Sequence, residues 1–187
     1  MPTIRDSRSV EDRAMDVLVP FMTQRVDDGR LVVINNGPLA KALQGSIGDV
    51  VMTVKDKMYS AEIKAEERHT GNLFLETWSN RNLEDRSRHA EHGSNPGWLY
   101  KLKADLLLYY FLDTGDLYSM DFFKLQQWAF GAGKYGQGNV FNFPEIGQQK
   151  YSQRNDTYGR LVPIEVIKKQ VGMNHYVVPY PAAGEAA

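Results

Sequence analysis

Cysteine is absent from this chain. That excludes disulfides and every thiolate-based zinc site, and the four histidines are too scattered to supply a zinc motif of their own. No apolar run approaches the ~20 residues that span a bilayer. The N-terminus, Met-Pro-Thr-Ile-Arg-Asp-Ser-Arg, lacks the apolar core of a secretion signal. A soluble, cytoplasmic protein with no membrane partner is the expectation. Charge of one sign is not in excess either: 22 basic residues stand against 23 acidic ones, for a net charge of -1. Bulk positive charge therefore does not recruit a partner, which leaves local basic patches to do so.

The chain does have enough apolar material for one core. Its 187 residues, 42% of them apolar, fit a single domain over 1–187 with no internal repeat and no linker. Ser9 can cap a helix over roughly residues 10–27, because Val10, Ala14, Met15, Leu18, Val19, Met22 and Val26 recur at helical spacing. Arg30 to Asn36 reads as a short strand closed by an Asn36-Gly37 turn. Residues 48–54 and 58–66 read as two strands joined tightly at Lys55-Asp56-Lys57, and residues 72–79 as a third β run. Residues 80–95 are polar without period and read as an exposed connection. A short helix is expected between Pro96 and Asp105.

Leu106 to Leu112 is a continuous apolar run, the pattern of a strand buried on both faces. Asp113-Thr-Gly-Asp116 turns it back into a strand over 117–120, and Asp121 caps a helix over 122–130. Residues 131–187 read as an irregular C-terminal extension carrying one more helix begun near Pro163. The fold class is α/β, a small mixed central sheet flanked by helices.

The chemistry concentrates between Asp49 and Lys64. Side chains alternate along a strand, so Glu62 and Lys64 share one face. A two-residue loop at Asp56-Lys57 sets Asp49 opposite Lys64 and Val51 opposite Glu62. The Asp49–Glu62 diagonal is then about 7 Å between backbones, close enough for the carboxylates to converge on one ion. A one-residue slip would turn Asp49 to the other face. Two carboxylates supply hard oxygen ligands for Mg²⁺, with Mn²⁺ able to substitute, and the Ile63 carbonyl can add a third. A water acidified by the ion can attack phosphorus. Lys64 could orient that water, help deprotonate it, or offset charge on the phosphorane. Alternating Lys and Glu also describes an ordinary solvated strand, so spacing alone leaves both accounts open.

The order of elements goes further. A helix, Gly48-Asp49 opening a strand, a strand bearing Glu62-Ile63-Lys64, then a helix and a buried strand resembles the PD-(D/E)xK nuclease superfamily. Restriction endonucleases, junction resolvases and many phage nucleases share that core. The resemblance covers roughly residues 10–130, and the chain departs from the pattern in having Gly48 where Pro often precedes the Asp. It implies a restriction-endonuclease-like core and a Mg²⁺-dependent endonuclease or exonuclease acting on DNA. It further implies metal ligation by Asp49 and Glu62, a catalytic role for Lys64, and a phage or mobile-element context, with a homodimer left open. Such nucleases often add an acid from the first helix, for which Glu11 and Asp16 both qualify. The rival expectation is a catalytically silent nucleic-acid-binding or protein-interaction module on the same fold.

Weaker signals surround this core. The 72–79 run is expected to lie antiparallel beside the Lys64 strand, so that Glu76 extends the acidic cluster and Trp78 stacks on a base or sugar. Lys101 and Lys103, with Arg81, Arg86 and Arg88, are candidates for phosphate contacts, and either role or a plain solvated face fits them. Asp105 reads as structural. Gly131-Ala-Gly-Lys134-Tyr135-Gly-Gln-Gly138 is no phosphate loop, because Tyr135 stands where Ser or Thr is required; a flexible loop touching nucleic acid through Lys134 and Tyr135 fits better. His69 near the strand end reads as an ordinary surface histidine.

Overall fold

Ser9 begins the ordered chain with a capping box. Its hydroxyl accepts from the Asp12 N–H at 3.0 Å, and the Asp12 carboxylate accepts from the Ser9 N–H at 3.3 Å. The computed structural model describes residues 9–27, 30–34, 43–44, 46–80, 95–131, 138–149 and 156–180. In chain order the elements are α1 (Val10–Thr23), β1 (Leu31–Val33), β2 (Val50–Val54), β3 (Lys57–Glu66), β4 (Asn72–Asn80) and β5 (Asn95–Pro96). There follow α2 (Trp98–Lys101), β6 (Leu106–Phe111), β7 (Asp116–Asp121) and α3 (Phe122–Phe130). A 3₁₀ turn over Asn139–Asn142 leads to β8 (Glu145–Gln149), β9 (Asp156–Pro163), α4 (Ile164–Gln170) and β10 (Asn174–Val177).

Helix α1 stops four residues short of the expected end. Arg25 N–H and Val26 N–H both bond the Met22 carbonyl, which tightens the last turn and breaks the helical ladder. The buried positions Ala14, Leu18 and Met22 form the single stripe the sequence spacing predicts.

Two sheets result. The first has the order β1-β2-β3-β6-β7-β10, antiparallel except for the parallel β3–β6 pair. The second has the order β5-β4-β9-β8 and is antiparallel throughout. The α/β class with a mixed central sheet is therefore what the chain adopts. One face of the first sheet presents Val50, Met52, Ala61, Ile63, Leu108 and Tyr110 to the stripe of α1. Its other face presents Leu107, Tyr109 and Phe111 to Leu73, Leu75 and Val162 of the second sheet and to α2, α3 and α4. Strand β6 is thus buried on both faces, as its uninterrupted apolar run requires.

Three expectations are corrected. The β2–β3 turn is Lys55-Asp56, both in the left-handed region at φ +50° and +59°, not Asp56-Lys57. Val51 accordingly sits opposite Ser60, and Val50 opposite Ala61. The register moves by two residues along β3, which preserves side-chain parity. Next, β4 is not a neighbour of β3, because β6 occupies that edge and β4 pairs instead with β9 and β5. Finally, the described residues after 131 are not irregular: they supply β8, β9, α4 and β10. Gly159 lies within β9, where a Cβ would fall 2.5 Å from the Phe74 ring. The Asn36-Gly37 turn, the 81–94 connection with Arg81, Arg86 and Arg88, and Lys134 and Tyr135 lie outside the described residues.

Gly48 sets the approach to Asp49. Its φ is +101°, and a Cβ there would lie 2.6 Å from the Ala61 carbonyl oxygen. Gly48→Ala is expected to cost about 2–3 kcal/mol of stability through combined strain and clash. Urea unfolding checks this, and an unchanged midpoint would contradict it.

Candidate active site

Helix α1 and strands β2 and β3 bring four charged side chains to one place. The Lys64 ammonium lies 2.7 Å from Glu62 Oε1 and 3.2 Å from Glu11 Oε1. Asp49 Oδ2 accepts the Ile63 backbone N–H at 2.8 Å, and its carboxyl is close enough to Glu62 and Lys64 for their charges to act on it. Asp49 N–H in turn donates to the Ala61 carbonyl at 2.9 Å. Asp49, Glu62 and Lys64 therefore meet as the strand parity requires, although the register carrying them differs from the expected one. Of the two helix acids, Glu11 reaches the lysine. Asp16 lies further along α1 and lines the same cleft, a cavity of about 760 Å³ that also touches Glu11, Asp49 and Ile63.

The electrostatics follow from burial. Glu62 is only 5% exposed. Loss of water, opposed by Lys64 and reinforced by the nearby Asp49 and Glu11, pushes its carboxyl up to about 7. Burial raises Asp49 as well, against the pull of the Ile63 N–H and Lys64. Burial also works against the Lys64 charge, but Glu62, Glu11 and Asp49 outweigh it and hold the ammonium above its ordinary range. At neutral pH the cluster thus keeps part of its charge neutralised by a retained proton and by Lys64. Hard oxygen donors that hold a proton near pH 7 are ligands a divalent cation can claim by displacing it. Among the described residues, no group of three or more His, Asp or Glu encloses a metal-sized space with the side chains as they stand.

The secondary candidates fall in different places. Glu76 does not extend the acid cluster. It accepts from Ser79 Oγ at 2.5 Å and from the Trp98 N–H at 3.2 Å. Trp78 is half-buried at a bulge of β4, opposite Pro96 and Tyr158. Lys101 is exposed and donates to Ser79 Oγ at 3.2 Å, while Lys103 is exposed beside a second cleft of about 590 Å³ with Asp105 and Phe123. Asp105 is structural, accepting from Ser60 N–H at 2.7 Å and Ser60 Oγ at 3.0 Å. His69 belongs to a separate group, its Nε2 3.0 Å from the Tyr118 hydroxyl, with Asp116 also bound to His175.

Trp98 was missed by sequence reasoning. Its ring centroid lies 6.0 Å from Lys64 Nζ, and the only sequence cue was its place beside Pro96. Glu66, which strand alternation sets on the Glu62–Lys64 face without a role, accepts from the Tyr109 hydroxyl. No family model, curated protein or solved structure matches the chain.

The raised Glu62 carboxyl has a thermodynamic consequence. Between its ordinary value of 4.5 and about 7 the folded chain holds a proton that the unfolded chain releases. Stability therefore falls as pH rises through that window, by on the order of 3 kcal/mol. Glu62→Gln is expected to flatten this slope in urea titrations between pH 4.5 and about 7. An equally steep slope in the variant would contradict the assignment.

Proposed function

We propose that this chain is a divalent-metal-dependent nuclease of the PD-(D/E)xK type, with a restriction-endonuclease-like core, that hydrolyses phosphodiester bonds of DNA. The observation that carries the proposal is the meeting of Asp49, Glu62, Lys64 and Glu11 in one charged cluster, of which Asp49 and Glu11 line the cleft. The order of α1, β2, β3 and the buried β6 supports it.

In this reading Asp49 and Glu62, with the Ile63 carbonyl, hold Mg²⁺ or Mn²⁺. The bound ion would supply Lewis acidity at the phosphate and an acidified water. Glu62, raised by burial, would release any retained proton when ligating the ion. Lys64 would be free to turn from Glu62 to the attacking water or the phosphoryl oxygens, where its charge would offset that of the phosphorane. Glu11 keeps a hold on the ammonium throughout. The cleft wall carries Glu11, Asp12 and Asp16, so a polyanion approaches favourably only from the side away from α1. Lys101 and Lys103 are the basic candidates to meet it.

The second reading, a catalytically silent nucleic-acid-binding or interaction module, is favoured by one observation: Lys64 pairs with both Glu62 and Glu11, as a purely structural ion-pair cluster would. Plasmid and linear DNA incubated with Mg²⁺ or Mn²⁺ separate the two. The wild type is expected to cut, with Glu62→Ala and Lys64→Ala slower by about 100-fold or more. Calorimetry should show Mn²⁺ binding lost in Glu62→Ala but no weaker in Lys64→Ala, where a competing cation is gone. Folded wild type that cuts no DNA, RNA or small phosphodiester with either ion would overturn the proposal.

A further inference from the structure

Glu76, outside the acid cluster, accepts the backbone N–H of Trp98, whose indole lies near the same lysine. Strand β4 carries a bulge between Glu76 and Trp78, where the register with β9 steps from Gly159 to Tyr158. The bulge receives the chain that enters α2. Gly97 N–H donates to the Thr77 carbonyl at 2.8 Å, and a Cβ at Gly97 would fall 2.3 Å from the Glu76 carbonyl oxygen. The Glu76 side chain accepts the next N–H, that of Trp98, and is itself steadied by Ser79 Oγ. Trp98 is thereby fixed by its backbone from one side, and its ring packs 6.0 Å from the ring of Phe122. Lys64 Nζ lies 6.0 Å from the same indole centroid, at the limit of a cation–π contact.

We propose that Glu76 is a positioning residue for Lys64, acting through Trp98. This deepens the nuclease reading and rests on it. Lysine is a flexible four-carbon stem carrying a point charge, so its aim depends on what surrounds it. Glu62 at 2.7 Å provides the tightest hold. A cation ligated by Glu62 would weaken that hold just where Lys64 has to face the phosphate. Glu11 and the indole wall then define where the ammonium sits, and the wall stands where Glu76 holds it.

The inference separates two roles for Glu76 that sequence parity leaves merged. A metal ligand needs the negative charge, whereas a positioning acceptor needs only the oxygen. Glu76→Ala is expected to lower kcat about tenfold with KM and the Mn²⁺ affinity unchanged. Glu76→Gln, whose amide oxygen still accepts from Ser79 and Trp98, should restore most of that loss. If both variants weaken Mn²⁺ binding alike, or if Glu76→Ala leaves kcat untouched, the inference is overturned. Should Glu76→Ala fail to fold, Trp98→Phe, which trims the wall and spares the Glu76 bonds, carries the same expectation for kcat.

A second arm does not need activity. With Trp78 and Trp128 changed to Phe, Trp98 is the remaining tryptophan of the three. Lys64→Met should then shift its emission, and the shift should vanish when Glu76 is also Ala. No response to Lys64→Met with Glu76 intact overturns the positioning link even in an enzyme that cuts DNA. An intact response in a protein that cuts nothing sinks the nuclease reading and leaves the Glu76–Trp98–Lys64 link standing.

Discussion

A carboxyl group in the middle of a strand that is packed on both sides has few ways to stay charged. Glu62 sits there, with Ala61 and Ile63 buried as its neighbours. An uncompensated charge at such a depth would cost several kcal/mol. The chain answers it with Lys64 at 2.7 Å, while burial and the nearby charge of Asp49 push the group up to about 7. This pair constrains the remainder. Lys64 must stand two residues on along the same face, β2 must run at a register that delivers Asp49, and the first turn of α1 must lie over the strand so that Glu11 reaches the ammonium.

The two sheets serve this arrangement in different ways. The first holds the acids and the lysine on the adjoining strands β2 and β3, backed by the apolar stripe of α1. The second lies on the opposite face and makes that interior dry. One polar thread joins the sheets: the Phe74 N–H of β4 donates to the Tyr109 hydroxyl at 3.0 Å, and that hydroxyl donates to Glu66 of β3. Glu66 is raised by burial just as Glu62 is. Acidic groups along this strand are thus held in an environment that favours a proton or a closely bound cation over a free charge.

Sequence reasoning brought the charged cluster together more faithfully than it placed the strands around it. Strand β6 and the Asp121-capped α3 were legible because a continuous apolar run and a cap three residues ahead of Lys124 are local signals. Asp49, Glu62 and Lys64 survived an error in the turn because the true register differs by two residues, and parity is blind to that. The turn itself was obscure, since Lys55 and Asp56 adopt left-handed geometry without the Asn-Gly pair that usually marks it. Strands β8 and β9 went unrecognised because residues 131–160 are rich in Gly, Asn, Gln and Tyr without a period, and because the second partner of β9, β4, is distant in sequence; Gly159 serves close approach to Phe74 in place of chain reversal. Proximity along the chain also misplaced β4, and with it Glu76: no local pattern says that β6 claims the free edge of β3 first.

The most direct measurement is a crystal structure of the protein soaked in Mn²⁺, with the ion located by its anomalous scattering. The proposed chemistry predicts an ion bonded to both Asp49 and Glu62, with the Lys64 ammonium moved off Glu62 and still beside Glu11. Unchanged Lys64–Glu62 pairing with the ion absent, or bound elsewhere, would contradict it.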